Sequence, residues 1–575
     1  MDAAARRLSG RAGWTARRQS LRIDPCAAAR ARLRTDMNST AHVDTFVRDQ
    51  LPPASEWPEF LFELPSLRYP ARLNCAVELL DWHAAVNPGA RAIRTADGDW
   101  NYGRLKDLVD RLCGVLASDM QVEPGNRVLL RAGNSVMMYA AWLAVARIGG
   151  VVVATMPLLR ARELATIVDK ARIRHALCDV RLAAELAGLE GPDGRLRTLT
   201  WGDGELEGRL ARQPTGVPAV DTALDDPCLL AFTSGTTGQP KATVHFHRDV
   251  LAMADTFAAH LLGPRPDDVF TGTPPLAFTY GLGAELVFPL RFGAATAVLT
   301  GPTPDHLRDG IARFGATRVF TAPTAYRALL AQADGSAFRS VRSFVSAGEH
   351  LPRPTFDAWQ QSTGHRIVDG IGATEMIHIF ISASGDDIRP GSTGRAVPGY
   401  RACVLDEEDR PAPAGTIGRL AVRGPTGCRY LADDRQRNYV KRGWNVTGDA
   451  FVVDDEGYFW YQARADDMIV SSGYNIAGPE VESVLLDHPD VAECAVIGVP
   501  DEQRGQVVKA YVVLRASQTG DDTLTRELQD FVKNAIAPYK YPRQIEYVAT
   551  LPRTATGKLQ RYRLREDLGG SGSPG

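Results

Sequence analysis

Residues 231–241 read AFTSGTTGQPK, and this segment decides how the rest of the chain is interpreted. Two glycines, four hydroxyl side chains and one lysine fall within nine residues, directly after an apolar run at 229–232. Glycine lets the backbone approach a ligand closely, and N–H groups, hydroxyls and an ammonium together suit phosphate oxygens. The segment differs from the GxxxxGK[ST] phosphate loop. Composition alone leaves two interpretations open, a phosphate site and a flexible polar turn.

Length and composition narrow the class of protein. A chain of 575 residues with 44% apolar and 23% charged residues is typical of a globular protein with two or more domains. The formal net charge of -2 gives no basic field for nucleic acid. The eight cysteines are scattered without a CxxC pair, which favours a reducing, cytoplasmic compartment. No apolar run reaches ~18 residues, so no membrane span is predicted.

Both ends of the chain differ from the middle. Residues 1–36 contain nine arginines and three aspartates but neither lysine nor glutamate. We predict that 1–36 is a disordered extension, arising from a mis-set start or from a non-structural segment, and an Arg-rich targeting peptide is the alternative. The Gly/Ser-rich residues 569–575 are predicted to form a flexible tail.

Between these ends the pattern predicts two domains. Helical stripes alternate with short β-rich runs over 85–350, as at 102–117, 127–131, 136–148 and 343–346. This alternation is typical of α/β layers with largely parallel sheets. Near residue 466 the pattern changes to a small α+β unit, with strands at 494–499, 507–514 and 544–548 and a helix at 524–535. We therefore predict a large layered N-terminal domain over 37–465 and a small mobile C-terminal domain over 466–568.

Five further segments decide the interpretation of 231–241. They read DGIGATE at 369–375, WNVTGD at 444–449, RADDMI at 464–469, SGYNI at 472–476 and PRTATGK at 552–558. In this order, and with TSGTTGQPK before them, they resemble the signature motifs of the adenylate-forming superfamily. That superfamily contains acyl-CoA synthetases, adenylation domains and luciferase-like enzymes, and the resemblance covers residues 45–565.

The resemblance implies a nucleotide site. ATP phosphates would be held by Thr233, Ser234, Gly235, Thr236, Thr237, Gly238 and Lys241. Asp369 and Gly370 would lie at the adenine, and Asp449 and Arg464 at the ribose. Thr374 would donate to the α-phosphate, and Glu375 would bind Mg²⁺, which prefers oxygen ligands.

The resemblance also implies two placements of the small domain. Lys558 would be catalytic in the first placement, bridging the substrate carboxylate and the α-phosphate. Asp466 would be the hinge. In the second placement Ser472, Gly473 and Tyr474 would line the passage for coenzyme A.

A third set of residues is predicted to form the acid pocket, and these segments look like the benzoate-CoA ligase group, most like its 2-aminobenzoate branch. Phe278, Thr279 and Tyr280 would form one wall and Gly348 the opposite wall, with Ile371 beside them. His378 and Phe380 would close the end, although a structural histidine explains His378 almost as well. The His245-Phe246-His247 segment invites a metal interpretation but lacks further ligands nearby in sequence.

Together these segments predict an ATP-dependent ligase that joins an aromatic carboxylate to coenzyme A through an aroyl-AMP intermediate. The alternatives are an enzyme that loads a carrier protein, a medium-chain fatty acyl-CoA synthetase and a nucleotide sensor without turnover. ATP, Mg²⁺ and coenzyme A are the expected co-substrates and cofactors, and an aromatic acid is the expected partner. Neither nucleic acid nor a membrane is expected to bind, and the sequence leaves a homodimer open.

Overall fold

The computed structural model describes residues 40–233, 240–330, 335–464, 467–471, 474–501, 504–516, 518–536, 538–553 and 559–569. The predicted disordered extension 1–36 lies outside these ranges, and so does the predicted tail except for Gly569. Within them the chain forms a large N-terminal part with layered sheets and helices and a small C-terminal α+β part, which confirms the predicted fold class.

A six-stranded sheet carries the 231–241 segment. Within the described ranges its strands are, in spatial order, Lys241–Phe246, Pro227–Thr233, Val151–Thr155, Arg127–Arg131, His175–Asp179 and Arg197–Trp201. The first two strands are antiparallel, and the other neighbours are parallel. The helices Tyr102–Gly114 and Val136–Arg147 pack together in this part of the protein, and the second contacts the sheet. The predicted apolar stripe of the first helix is buried, with Leu105, Val109 and Leu112 fully covered.

A second, nine-stranded sheet carries the predicted adenine residues Asp369 and Gly370 and the predicted pocket residue Ile371. Its described strands are, in order, Arg395–Ala396, Ile379–Ser382, Ile367–Gly372, Ser343–Ser346, Arg318–Thr321, Val269–Gly272, Ala295–Ala297, Arg91–Thr95 and Gly98–Asn101. The strands from Ile367–Gly372 to Arg91–Thr95 run parallel. Since the carboxyl ends of parallel strands share one edge, this sheet gathers the residues that follow them.

A third sheet, which the sequence did not predict, carries the ribose motif. It consists of Arg401–Leu405, Gly418–Arg423, Val440–Lys441, Trp444–Val453 and Phe459–Arg464, all paired antiparallel. Its last two strands form a long hairpin that ends at Arg464.

The C-terminal part has its own small sheet and core. The described strands are Tyr474–Ile476, Ile469–Ser471, Gly505–Leu514, Val491–Asp501 and Gln544–Tyr547. The helices Gly478–Leu486 and Asp522–Ala535 contact each other, and their apolar faces share a core with the sheet. The predicted strands and helix of this region are therefore present; three have slightly wider bounds than predicted, and Gln544–Tyr547 is one residue shorter.

The remaining helical segments connect the sheets. The α-helices are Phe46–Asp49, Trp82–Val86, Ala161–Lys170, Glu205–Leu210, His247–Met253, Thr279–Leu282, Phe288–Arg291, Pro304–Phe314, Pro323–Leu330, Arg353–Thr363, Gln436–Tyr439 and Arg561–Gly569. Helix segments with π geometry lie at Val77–Asp81, Val115–Asp119, Ala254–Leu262 and Gly283–Val287. Among the residues that the structure describes, no helix combines the length and apolar composition needed to cross a bilayer.

Candidate active site

The base of the predicted phosphate loop is fixed by strand pairing. Thr233 ends one strand and Lys241 begins the next, and the two residues face each other in the antiparallel ladder. The other predicted phosphate ligands, Ser234, Gly235, Thr236, Thr237 and Gly238, lie outside the described residues. The structure therefore places the two ends of the loop opposite each other and leaves the roles of the residues between them as predictions.

A buried tyrosine joins Lys241 to Glu375. The hydroxyl of Tyr430 donates a short hydrogen bond to Glu375 Oε1, and Lys241 Nζ lies 3.4 Å from the same hydroxyl oxygen. Burial and the nearby Glu375 charge raise the pKa of Tyr430 far above its ordinary value, so the side chain stays a neutral phenol. The predicted phosphate lysine and magnesium carboxylate thus lie on either side of one phenol.

Glu375 has the chemistry that Mg²⁺ requires. Its turn, Thr374–Met376, follows the strand Ile367–Gly372, and the residue is only 9% exposed. No described residue donates a hydrogen bond to Oε2, which leaves one carboxylate oxygen for a cation. Hard oxygen ligands of this kind fit Mg²⁺ shared with phosphate oxygens.

A buried polar chain supports the turn that carries Thr374 and Glu375. His245 Nε2 donates to the Thr374 carbonyl at 2.8 Å, and its Nδ1 lies 3.8 Å from the Asp249 carboxylate. Asp249 also forms a short ion pair with Arg429, and neither side chain is exposed. Burial alone would raise the pKa of Asp249, but Arg429 and His245 outweigh it and the pKa is lowered. The carboxylate therefore stays charged between Arg429 and His245, behind the turn.

The predicted ribose residues are paired. Asp449 and Arg464 face each other across the hairpin, with 2.9 Å between Asp449 Oδ1 and Arg464 Nη1. Arg464 also donates to the Thr447 carbonyl at 3.3 Å. Of the two side chains, Asp449 is 13% exposed and Arg464 is 43% exposed. This pair presents a carboxylate and a guanidinium side by side, as recognition of a diol requires.

The predicted adenine residues lie on the strand Ile367–Gly372. The Asp369 carbonyl accepts a hydrogen bond from Ser382 at 2.6 Å, and burial raises the pKa of the Asp369 carboxyl to about 7. A Cβ on Gly370 would lie 2.8 Å from Ile379 Cγ2, so a side chain there would displace the neighbouring strand. Ile371, a predicted pocket residue, is half-buried on the same strand.

Tyr280 is anchored to the wall that carries Gly348. Phe278 precedes and Thr279 begins the short helix Thr279–Leu282. The Tyr280 hydroxyl shares its proton between the carbonyls of Val345 at 3.1 Å and Thr321 at 3.3 Å. Gly348 follows Val345 by three residues and has a φ of +92°, which favours glycine. The predicted opposite walls are thus held together at one end.

His378 lies in an aromatic cluster beside Tyr280. Its ring centroid is 4.7 Å from Phe288, 5.5 Å from Phe257 and 5.7 Å from Tyr280. Burial lowers the pKa of His378 to about 3, so the imidazole is neutral. Nε2 points to the Tyr280 carbonyl at 3.4 Å, whereas Nδ1 is buried without a hydrogen-bond partner among the described residues. Since a carbonyl only accepts, the proton lies on Nε2 and Nδ1 is an acceptor.

Gly283 allows this histidine to pack closely. A Cβ on Gly283 would lie 2.5 Å from His378 Cδ2 and 2.9 Å from Phe288 Cζ. Phe380, predicted to help close the pocket, packs against Tyr400 with ring centroids 6.4 Å apart.

The residues predicted for the small domain fall mostly outside the described ranges. Lys558, Asp466, Ser472 and Gly473 are not described, and Tyr474 is described as the first residue of a strand. On either side of the undescribed segment 554–558, Arg553 and Leu559 form an antiparallel bridge. The two ends of the Lys558 segment are therefore adjacent.

Comparison with known proteins assigns the fold to a family. The family model described as "AMP-binding enzyme" matches residues 80–430, and the model for the C-terminal domain of these enzymes matches residues 480–558. The chain is a member of the AMP-binding enzyme family.

Individual relatives agree with this assignment. This AMP-binding enzyme is 36% identical to the benzoate–CoA ligase of Thauera aromatica, over 87% of its own length and 97% of that ligase. It is 33% identical to the 3-hydroxybenzoate–CoA ligase of Aromatoleum sp. (strain CIB), over 84% and 93% of the two chains. Among solved structures, the anthranilate CoA ligase AuaEII in complex with anthranoyl-AMP is 34% identical and has a TM-score of 0.83, covering 88% of this chain and 99% of that one.

Sequence reasoning missed the second layer of the site in this AMP-binding enzyme. His245 and Tyr430 contact the predicted residues Thr374 and Glu375, and Asp249 and Arg429 lie behind His245, yet none of the four belongs to a predicted site set. One signal was available, because the charged residues Arg248 and Asp249 interrupt the apolar pattern after the phosphate loop. Arg429 and Tyr430 lie almost 200 residues further on, and only the folded chain shows that Arg429 reaches Asp249 and that Tyr430 reaches Lys241.

The two histidines of the 245–247 segment have separate roles in this enzyme. His245 supports the Thr374 turn, whereas His247 Nδ1 accepts the N–H of Cys75 at 3.1 Å. Cys75, Cys228 and His247 are buried, and their ligand atoms lie within 4.8 Å of one another. Because the Nδ1 lone pair already accepts a backbone N–H, a hydrogen-bonded core cluster accounts for these contacts.

Proposed function

We propose that this enzyme joins an aromatic carboxylic acid to coenzyme A in two steps. A carboxylate oxygen first attacks the α-phosphorus of ATP, which forms the aroyl-AMP and releases pyrophosphate. The thiol of coenzyme A then attacks the acyl carbon, which forms the thioester and releases AMP. This reaction agrees with the names of the benzoate and 3-hydroxybenzoate ligases to which the chain is similar.

One structural observation carries the proposal. A single strand–turn–strand, residues 367–382, holds the adenine residue Asp369, the turn residues Thr374 and Glu375, and the pocket residue His378. Its turn reaches Lys241 through Tyr430, and His378 packs on Tyr280. A nucleotide site and an aromatic-lined pocket are thus parts of one element, as transfer between an acid and an α-phosphate requires.

The predicted site residues have distinct roles in the first step. Lys241 and Thr233 hold phosphate oxygens, and Asp449 with Arg464 holds the ribose. Glu375 offers Oε2 to Mg²⁺, which would neutralise charge on the phosphates. Lys558 would stabilise the charge that develops as the carboxylate oxygen attacks, and it would act only in the first placement of the small domain.

The acid pocket favours a ring that carries a hydrogen-bond donor. We propose that His378 Nδ1, a buried acceptor, faces the ring edge and accepts from the amino group of 2-aminobenzoate. Benzoate has no amino group, so Nδ1 stays unpaired when benzoate binds, as it is in the free protein. Bound benzoate therefore makes only one neutral hydrogen bond fewer than bound 2-aminobenzoate. Such a bond contributes ~0.5–1.5 kcal/mol, and we expect kcat/KM for benzoate and 2-aminobenzoate to differ by less than ~100-fold.

The cellular compartment of the reaction follows from the same proposal. The seven described cysteines are free thiols, and ATP and coenzyme A are co-substrates, so we place the reaction in the reducing cytoplasm. The sequence leaves a homodimer open.

A substrate panel tests the proposal. Acid-dependent ATP–pyrophosphate exchange, and thioester formation with and without coenzyme A, would be measured on benzoate, 2-aminobenzoate, 4-phenylbenzoate and octanoate. The two small aromatic acids should give the highest kcat/KM, and 4-phenylbenzoate should be poor because His378 limits the pocket. A preference for octanoate would refute the aromatic assignment. Exchange without any thioester would point instead to a carrier-loading enzyme.

A further inference from the structure

Tyr430 is the one described residue that contacts both the predicted phosphate lysine and the predicted magnesium carboxylate. Its side chain is fully buried, its hydroxyl donates to Glu375 Oε1, and Lys241 Nζ lies 3.4 Å from the hydroxyl oxygen and 5.1 Å from the ring centroid. Both Lys241 and Glu375 are described, and no direct ion pair joins them.

The backbone of Tyr430 is held independently of these two partners. Its N–H donates to Gln436 Oε1 at 3.0 Å, and Tyr430 forms an antiparallel bridge with Thr243 on the strand that begins at Lys241. Gln436 is itself fixed by hydrogen bonds from its side-chain amide to the Glu56 and Cys428 carbonyls. The phenol is therefore positioned by the scaffold, not by the charges that it contacts.

We infer that Tyr430 is a positioning residue for the first step, which keeps Lys241 and Glu375 apart and aimed at Mg·ATP. In a buried site an ammonium and a carboxylate attract each other strongly. The phenol satisfies one oxygen of Glu375 with its proton and Lys241 with its lone pair. Oε2 and the remaining ammonium protons then stay available for the metal and the phosphates. This inference rests on the proposed function, because it assumes that Glu375 and Lys241 bind Mg·ATP.

Removing the hydroxyl alone should allow the two charges to pair directly. Tyr430→Phe keeps the ring and its packing, so it leaves no large cavity. ATP must then break an ion pair before it binds, and we expect ~10-fold weaker Mg·ATP binding, the scale of one hydrogen bond to a charged group.

Tyr439 offers a matched control. Its ring lies 5.9 Å from that of Tyr430, it is 9% exposed, and its hydroxyl has no hydrogen-bond partner among the described residues. Tyr439→Phe removes the same atom from the same cluster without removing a bond to Lys241 or Glu375.

The test measures binding as well as rate. ATP affinity of the full chain is determined by calorimetry with Mg²⁺ and with EDTA, alongside ATP–pyrophosphate exchange and thiolysis of supplied aroyl-AMP. Tyr430→Phe should weaken Mg·ATP binding ~10-fold and slow exchange, while thiolysis stays within ~3-fold and Tyr439→Phe resembles wild type. Equal ATP affinities for the two variants would overturn the inference. Wild-type protein that fails to bind ATP would instead refute the proposed function.

A double variant separates positioning from a general loss of stability. In Lys241→Met there is no ammonium to pair with Glu375. The double variant Lys241→Met/Tyr430→Phe should therefore lose less ATP affinity than the product of the losses in the two single variants. Full multiplication of the two effects, or an equal loss in both half-reactions, would show that the hydroxyl only supports the fold.

Discussion

The carboxylate of Glu349 lies 3.6 Å from the guanidinium of Arg553 and links the large N-terminal part to the small C-terminal part. Glu349 directly follows the pocket residue Gly348, and Arg553 lies at the base of the segment that contains Lys558. The same guanidinium pairs with Glu493 of the small part at 2.6 Å. The contact therefore holds Arg553 beside the residue that follows Gly348.

Breaking this contact should slow the first half-reaction selectively. Partly exposed ion pairs contribute up to ~1 kcal/mol, so Glu349→Gln should slow aroyl-AMP formation by ~2–5-fold. Thiolysis of supplied aroyl-AMP should be unchanged if the small domain then adopts the second placement that the resemblance implies. Stopped-flow or exchange assays of each half-reaction measure both rates. Glu493→Gln is the control, since it removes the partner of Arg553 within the small part, and a matching slow-down there would argue against a link between the parts.

Substitution of Lys558 should also slow aroyl-AMP formation more than thiolysis, and by a larger factor. Lys558→Ala removes one aligned charge from the adenylation transition state, and we expect a loss of ~10²–10³-fold or more in aroyl-AMP formation. Thiolysis should change much less. Lys533→Ala, which removes a partly exposed lysine of the same part that pairs with Asp530 and lies over the Tyr541 ring, should leave both rates unchanged. Equal losses in the two half-reactions of Lys558→Ala would remove the two-placement account.

Gly348→Val should abolish activation of aromatic acids and spare ATP binding. A β-branched residue is strained at the φ of +92°, and its side chain would enter the space of the ring. Gly364→Val controls for backbone strain, because Gly364 has a φ of +75° and nothing within 4 Å of an added Cβ. Exchange rates and calorimetric ATP affinity distinguish the two effects. If Gly364→Val loses as much aryl activation as Gly348→Val, strain and not pocket space is responsible.

Glu285 should make the stability of the enzyme depend on pH. It is 1% exposed and accepts from Tyr139 at 2.5 Å and from Asn134 at 2.9 Å; burial raises its pKa to about 8. The pKa of Glu285 in the folded state is above its ordinary value. The contribution of protonated Glu285 to the free energy of unfolding is therefore complete below about pH 4.5 and is lost as the pH rises through about 8.

Glu285→Gln is neutral at every pH and keeps an acceptor for Tyr139. The melting temperature of wild type should therefore fall relative to that of Glu285→Gln between about pH 5 and pH 9. The exposed substitution Glu408→Gln should show no such trend. Parallel curves for wild type and Glu285→Gln would show that Glu285 does not retain its proton.

Local pattern predicted the regular elements well. The strands Arg127–Arg131 and Ser343–Ser346 have the predicted bounds, because short β-rich runs ended by polar or small residues leave little choice. The sheet between Arg401 and Arg464 was missed. Its strands are antiparallel and vary from two to ten residues, so they have no common sequence period.

The residues of the candidate site also fall into two groups, those that the sequence predicted and those that it missed. Residues within motifs, such as Glu375, Asp449 and Arg464, were predicted because each lies in a short segment that resembles a signature motif of the superfamily. Tyr430 and Arg429 were not, because their partners lie 55 and 180 residues away and no local pattern marks such contacts.

The contact between Gly283 and His378 limits how this pocket can evolve. Any side chain at 283 would collide with the imidazole, and a smaller residue at 378 alone would leave a buried void between Phe257 and Phe288. The two positions are therefore epistatic, since a change at either one is tolerated only with a compensating change at the other. A homologue with another residue at 378 should also differ at 283, and new acid preferences should arise through paired substitutions.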